Sequence, residues 1–170
     1  MKALSVGTLA LMFSIILWGI LIGGVVYSHI IYFPVFLGDL PESSSIVTGR
    51  YRLDESVFWM SLHPLLILSL IASLVLNWKL RRRRNLILTT MIVYLGAIVA
   101  TGIYFVPELI AFSESSNSAI GKTEWMARGW WWQRWSWLRG SILFIAYFPL
   151  MLALVTTPAE EKTSPAATGH

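Results

Sequence analysis

Four long apolar stretches occupy most of this 170-residue chain, and they constrain its fold more than any motif does. They cover residues 4–37, 57–78, 86–112 and 138–155. Each is about long enough to cross a hydrocarbon layer roughly 30 Å thick. A segment inside lipid must satisfy its own backbone hydrogen bonds, and stretches of this length do so as α-helices. The sequence therefore predicts an all-α protein, a transmembrane four-helix bundle.

Composition supports the same class. Hydrophobic residues make up 56% of the chain, and the mean hydropathy is +0.65. A soluble domain of this size does not bury so much apolar surface. The chain contains no cysteine, which excludes disulfides, iron–sulfur clusters, thiolate metal sites and thiol nucleophiles.

The apolar pattern predicts one membrane domain over residues 1–157, with spans at about 4–33, 57–78, 86–110 and 137–156. The first span resembles a signal peptide because Lys2 precedes an apolar run, but the run is too long, which indicates an uncleaved span. The tail, residues 158–170, is polar and rich in small residues, and we expect it to be disordered in the cytoplasm.

Basic residues predict the orientation. The loop between the second and third spans reads KLRRRR over residues 79–84. The positive-inside tendency places this loop and both termini in the cytoplasm. In a short loop between spans, contact with anionic lipid is favoured over nucleic acid, so the bilayer is the predicted partner and nucleic acid is not. We expect a multi-pass protein of the bacterial inner membrane.

Two further patterns concern helix contacts and the membrane boundary. Residues 130–137 read WWWQRWSW, and Trp prefers the lipid–water boundary because its ring is apolar while its N–H needs a partner. We expect an interfacial helix leading into the fourth span, which is also a candidate wall for a flat ligand. Glycines at 19, 23, 96 and 102 predict close helix approach, within the bundle or between copies in a homo-oligomer.

Four ionisable residues from four different spans fall at one depth. Counting helical rise places His29, His63, Glu108 and Arg139 near the outer ends of their spans. Each alone has an ordinary interpretation, such as a backbone hydrogen bond, solvation or contact with lipid phosphate. Charged groups inside spans are costly and usually face protein or water. Their agreement in depth therefore predicts a shared site.

Three chemistries are open for that site. His29, His63 and Glu108 are a ligand set suited to iron, copper or zinc. The two histidines alone are instead able to ligate haem b from opposite faces. Without a cofactor, His63 serves as a general base, Glu108 as a proton acceptor and Arg139 as the group that stabilises an anion. Tyr104, one turn before Glu108, is predicted to line the same cavity, and Trp135 is predicted to contact a cofactor there.

Short motifs spread over most of the chain resemble a known family. They are Tyr32-Phe33-Pro34 at the end of the first span, YFVPE at 104–108 and RWSWLR at 134–139. In these the chain resembles the anthrone-oxygenase-like family of small integral membrane proteins. That family often has a histidine before the arginine of the last motif, where this chain has Leu138. The resemblance implies a four-helix bundle that oxidises a hydrophobic aromatic or quinol-type substrate with oxygen.

A non-enzymatic role is the alternative. A small transporter, assembly factor or accessory subunit that binds lipid or partner helices has the same composition and length. In that case the glycines of the spans matter more than the histidines. Metal content and the absorption spectrum of the purified protein distinguish the two classes.

Overall fold

The computed structural model describes residues 4–156, which form four long helices. These are α1 (Val6–Leu37), α2 (Ser56–Leu76), α3 (Arg81–Ser113) and α4 (Lys122–Val155), each long and apolar enough to cross a membrane. Short helical turns at Glu42–Ser44, Ser45–Thr48 and Ser115–Asn117 lie in the loops. The predicted all-α four-helix bundle is confirmed. The tail at 158–170 lies outside the described residues.

The helices differ in length, and α3 and α4 extend beyond the predicted spans 86–110 and 137–156. The helices α1, α3 and α4 have 32, 33 and 34 residues, whereas α2 has 21. At a rise of 1.5 Å per residue, the three longer helices reach roughly 50 Å, well beyond the hydrocarbon layer. The Trp-rich segment is not a separate interfacial helix, because α4 begins at Lys122 and runs through it without a break.

Two of the helices contain a single π-helical turn, Ser28–Tyr32 in α1 and Thr101–Phe105 in α3. A proline follows each turn closely, at Pro34 and Pro107. Proline has no N–H, and its ring clashes with the carbonyl four residues earlier, which here falls inside the π turn. The wider turn accommodates that clash, so the helices continue to Leu37 and Ser113.

Apolar side chains pack in two separate clusters along the bundle axis. The membrane-level cluster is built on leucines from α1, α2 and α4, together with Trp18, Ile87 and Tyr94. The outer cluster consists of aromatic and leucine side chains from the extensions of the longer helices and the first loop, namely Phe33, Phe36, Leu37, Leu40, Phe105, Phe112, Trp125 and Trp132. The extensions of α1, α3 and α4 thus form a small core of their own.

The helices do not pack evenly around the bundle. The most extensive pairs are α1 with α2 and α3 with α4, and α1 also packs along α4. Of the neighbouring pairs, α2 and α3 make the least contact.

Candidate functional site

Polar side chains inside the bundle lie in two layers. The inner layer consists of Thr8, Asn77, Arg83 and Thr156, which are joined by hydrogen bonds. The outer layer consists of two bonded pairs, Ser28 with Glu55 and Thr101 with Arg139. Along each helix, the residue of the inner layer and the residue of the outer layer are about 17 to 22 positions apart, which is roughly 26–33 Å at 1.5 Å per residue. That separation matches the thickness of the hydrocarbon layer, and the layers are named inner and outer after the predicted orientation.

The inner layer is centred on Arg83, which is 6% exposed. Its guanidinium donates to Thr8 Oγ1 and Asn77 Oδ1, both at 3.1 Å. It also donates to the carbonyls of Thr156 at 3.2 Å and Leu154 at 3.3 Å. Arg83 thus joins the inner ends of all four helices. The arginine run predicted orientation, but no pattern in the sequence distinguishes the buried Arg83 from its exposed neighbours.

The outer layer holds Arg139, which is half-buried. Its guanidinium donates to Thr101 Oγ1 at 2.7 Å and Ser136 Oγ at 3.0 Å. Its central carbon lies 3.9 Å from the centre of the Phe105 ring. No carboxylate within residues 4–156 forms an ion pair with it. The π turn of α3 supplies both Thr101 and Phe105, so this turn shapes a site with a positive charge suited to an anion.

His63 lies in the first half of α2 and faces α3. Its Nδ1 lies 2.6 Å from Tyr94 Oη, and its ring stacks on Trp59 with centroids 5.6 Å apart. Arg139 is within electrostatic range of His63. When Nδ1–H donates to Tyr94, the other ring nitrogen carries a free lone pair, as a general base requires. His63 and Arg139 both face α3, where His63 contacts Tyr94 and Arg139 contacts Thr101.

His29 lies against α4. Its Nδ1 is 2.7 Å from the Val25 carbonyl, so Nδ1–H is the donor and the ring is held as one tautomer. Its ring contacts Phe33 and Trp137, with centroids 5.2 and 4.6 Å away. Its Nε2 is buried without a hydrogen-bond partner in the described part of the chain. The structure thus places His29 within electrostatic range of Arg139 but closes it to an incoming ligand.

Glu108 does not join the histidines. It lies beyond the π turn of α3, where Arg128 Nη2 approaches its two carboxylate oxygens at 2.8 and 2.9 Å. Within residues 4–156, no group of three or more His, Cys, Asp or Glu side chains is placed to hold a metal ion. The predicted metal site of His29, His63 and Glu108 is therefore not assembled, because Glu108 lies in the outer extension and is paired with an arginine.

Haem b does not fit these histidines either. A haem ligand needs one ring nitrogen open to the iron, with room beside it for the macrocycle. The Nδ1 of His29 is bonded to a carbonyl and its Nε2 is buried among packed side chains. Only His63 retains a ring nitrogen that is not bonded and not buried.

The two aromatic residues predicted at the cofactor lie at the surface. Trp135 is 50% exposed and Tyr104 is 38% exposed. Three further tryptophans of the segment, Trp130, Trp131 and Trp137, are also exposed. A belt of half-exposed Trp at the outer layer fits anchoring at the headgroup boundary. It does not provide a wall for the region around His63.

A groove of about 490 Å³ lies between α1 and α2. Its lining comes from both helices and from the residue before α2, and consists of Ile20, Gly23, Gly24, Tyr27, Ser28, Glu55 and Phe58. None of the predicted site residues lines it, since Ser28 faces α2 while the adjacent His29 faces α4. The glycine pair and the acidic residue before the second span were the available signals for this groove in the sequence.

Comparisons with known proteins leave the resemblance to the anthrone-oxygenase-like family as a prediction. No protein-family model, curated protein or solved structure matches this chain.

Proposed function

We propose that this chain is a membrane-embedded oxidoreductase-like enzyme that acts on a hydrophobic aromatic or quinol-type substrate. The observation that carries the proposal is the position of Arg139, a half-buried cation in the outer polar layer with hydroxyl partners and no paired carboxylate in the described chain. Burying such a charge is costly unless an anion compensates it during function. An anion formed from the substrate meets that requirement.

His63 supports the proposal as the base that forms the anion. An acidic O–H or C–H of the substrate transfers its proton to the ring nitrogen of His63 that does not face Tyr94. Tyr94 orients the ring through the 2.6 Å contact with Nδ1. The negative charge left on the substrate oxygen then interacts with Arg139. Molecular oxygen, which dissolves well in lipid, is the proposed electron acceptor.

The overall reaction balances for the simplest substrate of this class. Anthrone carries an acidic CH2 group beside its aromatic rings, and it loses a proton to give an oxyanion. One O2 oxidises that CH2 to a carbonyl, which yields anthraquinone and one water. A quinol gives a quinone and one hydrogen peroxide with the same acceptor. The substrate would approach from the lipid between α2 and α3, where the bundle is least closely packed.

The test uses the full-length protein in nanodiscs, with anthrone and decylubiquinol as probes. Oxygen uptake is followed with an electrode, and product formation by absorbance. We expect wild-type protein to oxidise one of the probes faster than empty nanodiscs do. His63→Gln is expected to lower the rate by about a hundredfold or more, since general bases contribute about 10²–10⁴.

Leu138→Ala is the matched control, because it is adjacent to Arg139 but its side chain is about half exposed. It should retain the wild-type rate. Wild-type rates for both probes equal to those of empty nanodiscs would refute the proposal. Metal analysis and a visible spectrum of the same sample test the metal and haem alternatives, since stoichiometric metal or a Soret band would assign the oxidation to a cofactor.

We also propose the bacterial inner membrane as the location, with both termini in the cytoplasm. The support is the density of arginine at the inner polar layer. The absence of native cysteine makes the test direct. A membrane-impermeant maleimide should label Ser118→Cys in intact cells and leave Arg81→Cys unlabelled until the membrane is opened. The reverse labelling would show that the termini lie on the other side of the membrane.

A non-enzymatic membrane module is the second candidate, and the glycines of α3 favour it. A Cβ atom built on Gly96 or Gly102 has no neighbouring atom within 4 Å in the described chain. These positions therefore leave a small-residue surface open to a partner helix or a second copy. Gly19 differs, since its Cβ would lie 3.4 Å from the hydroxyl of Tyr147 inside the bundle. Cross-linking of wild type and Gly96→Leu in membranes measures this contact, and unchanged cross-linking would contradict it.

A further inference from the structure

The groove between α1 and α2 has one polar end and otherwise apolar walls. Ile20 and Phe58 supply the apolar walls, and Ser28 and Glu55 form the polar end at the outer layer. A volume of about 490 Å³ lies within the roughly 300–1,000 Å³ typical of sites for small ligands. Its position places the polar end at the headgroup boundary and the apolar walls deeper in the lipid.

Glu55 has its charge facing this groove without a compensating cation. Ser28 Oγ donates to its two carboxylate oxygens at 3.0 and 3.1 Å, and Trp59 Nε1 donates at 3.2 Å. Both donors are neutral. No Lys or Arg within residues 4–156 forms an ion pair with Glu55. The hydrogen bonds fix the carboxylate at the mouth of the groove while leaving its charge available to a ligand.

Two adjacent glycines shape the groove, each in a different way. A Cβ atom on Gly24 would lie 2.7 Å from the ring of Phe58, so Gly24 allows α1 and α2 to approach closely. A Cβ atom on Gly23 would meet no atom within 4 Å in the described chain. Gly23 therefore borders open space, and a large side chain there would fill the groove without displacing the helices.

We propose that this groove binds a lipophilic organic cation from the outer leaflet, with its charge against Glu55. Charge complementarity selects a cation, since a lone carboxylate repels anions and gains little from neutral molecules. The aromatic rings of Tyr27 and Phe58 border the groove, and such rings also attract cations. The apolar walls select a hydrophobic body. This inference does not depend on the proposed oxidation.

Trp59 connects the groove with the region around His63. Its N–H is bonded to Glu55, and its ring stacks on His63. A cation at Glu55 competes for the carboxylate and changes the environment of the indole. Binding is therefore expected to alter Trp59 fluorescence, and the change should be absent in Trp59→Phe.

The experiment measures binding of radiolabelled tetraphenylphosphonium to full-length protein in phosphatidylcholine nanodiscs, with empty nanodiscs as background. We expect saturable binding with wild type. Glu55→Gln keeps one acceptor oxygen and nearly the same shape but removes the charge, and should raise the Kd roughly tenfold or more. Gly23→Leu should abolish binding by filling the groove. Gly102→Leu, an equally open glycine on α3, should leave the Kd unchanged.

Competition identifies the occupant. Dodecyltrimethylammonium should displace the probe and dodecanol should not. Equal displacement by dodecanol would show a site for any alkyl chain and overturn the assignment to cations. Wild-type binding no higher than that of empty nanodiscs, or equal binding by Glu55→Gln and Gly23→Leu, would also overturn it. His63→Gln should still bind the probe, which separates this result from that of the oxidation assay.

Discussion

Two arginines at opposite ends of the same bundle, the buried Arg83 and the half-buried Arg139, differ in their surroundings. Arg83 donates to a hydroxyl, an amide and two backbone carbonyls, and is almost fully buried. Arg139 donates to two hydroxyls and lies over the Phe105 ring. The two arginines lie about one hydrocarbon thickness apart, and Arg83 joins four helices whereas Arg139 contacts polar groups of α3 and α4 alone.

The difference lies in what surrounds each charge. Carbonyls at the end of α4 have no helical donor of their own, so the guanidinium of Arg83 satisfies acceptors that the fold leaves open. The hydroxyls beside Arg139 have other options, since Thr101 also donates to the Ala97 carbonyl. Arg83 therefore completes the fold, whereas Arg139 is held in place with donors left for another molecule.

Removal of Arg83 should have the largest effect. Arg83→Met keeps the apolar stem but leaves the carbonyls of Leu154 and Thr156 and the Asn77 amide oxygen without this donor. Leaving buried acceptors unpaired costs about 1–3 kcal/mol, so we expect a loss of about 3 kcal/mol in unfolding free energy. Denaturation in mixed micelles measures this, with the exposed Arg81→Met as control. Equal stability of the two variants would show that Arg83 is not a structural centre.

Removal of Arg139 should have the opposite effect, with little change in stability and a large loss of activity. In Arg139→Met the two hydroxyls rotate to other partners, and an apolar side chain replaces an uncompensated charge, so stability should change by about 1 kcal/mol or less. The oxidation rate should fall about a hundredfold, the usual loss when one anion-stabilising group is removed. An Arg139→Met variant that is as active as wild type, or one that fails to fold, would show that Arg139 does not differ from Arg83 in this way.

A substitution of Tyr94 tests whether its contact with His63 is needed for activity. Tyr94→Phe removes the hydroxyl 2.6 Å from Nδ1 and keeps the buried ring. One hydrogen bond is worth about 1 kcal/mol, so we expect a rate about fivefold lower and a loss of about 1 kcal/mol in unfolding free energy. Tyr147→Phe, which removes another buried hydroxyl bond, to the Ile15 carbonyl, is the control. It should lose stability without losing activity.

Glu108 should matter least. Its pair with Arg128 is partly exposed, with side-chain exposures of 31% for Arg128 and 25% for Glu108. Such pairs contribute about 0–1 kcal/mol and weaken in salt. Glu108→Gln should therefore change stability slightly and leave the oxidation rate and metal content unchanged. A large fall in rate would restore the predicted proton acceptor and place Glu108 in the site.

Much of the architecture was accessible from the sequence because lipid imposes it. A segment of about 20 apolar residues in a membrane has few alternatives to a helix. The depth of a polar residue was estimated from its position along a helix, which is why His29, His63, Glu108 and Arg139 were predicted at one depth. The π turn that precedes Pro107 was not accessible, since proline more often ends a helix than widens one turn.

The position of a residue along its helix could be counted from the sequence, but the direction in which its side chain points around the helix could not. Ser28 and His29 are neighbours at one depth, yet one faces Glu55 on α2 and the other Trp137 on α4. Glu108 was expected beside the histidines and is instead paired with Arg128 in the outer extension. The sequence alone determined four helices long enough to cross a membrane, because their number and length follow from lipid thickness and helical rise. Only the tertiary structure decided which groups meet, because each step along a helix turns the side chain by about 100° and the packing of the neighbours fixes the rotation.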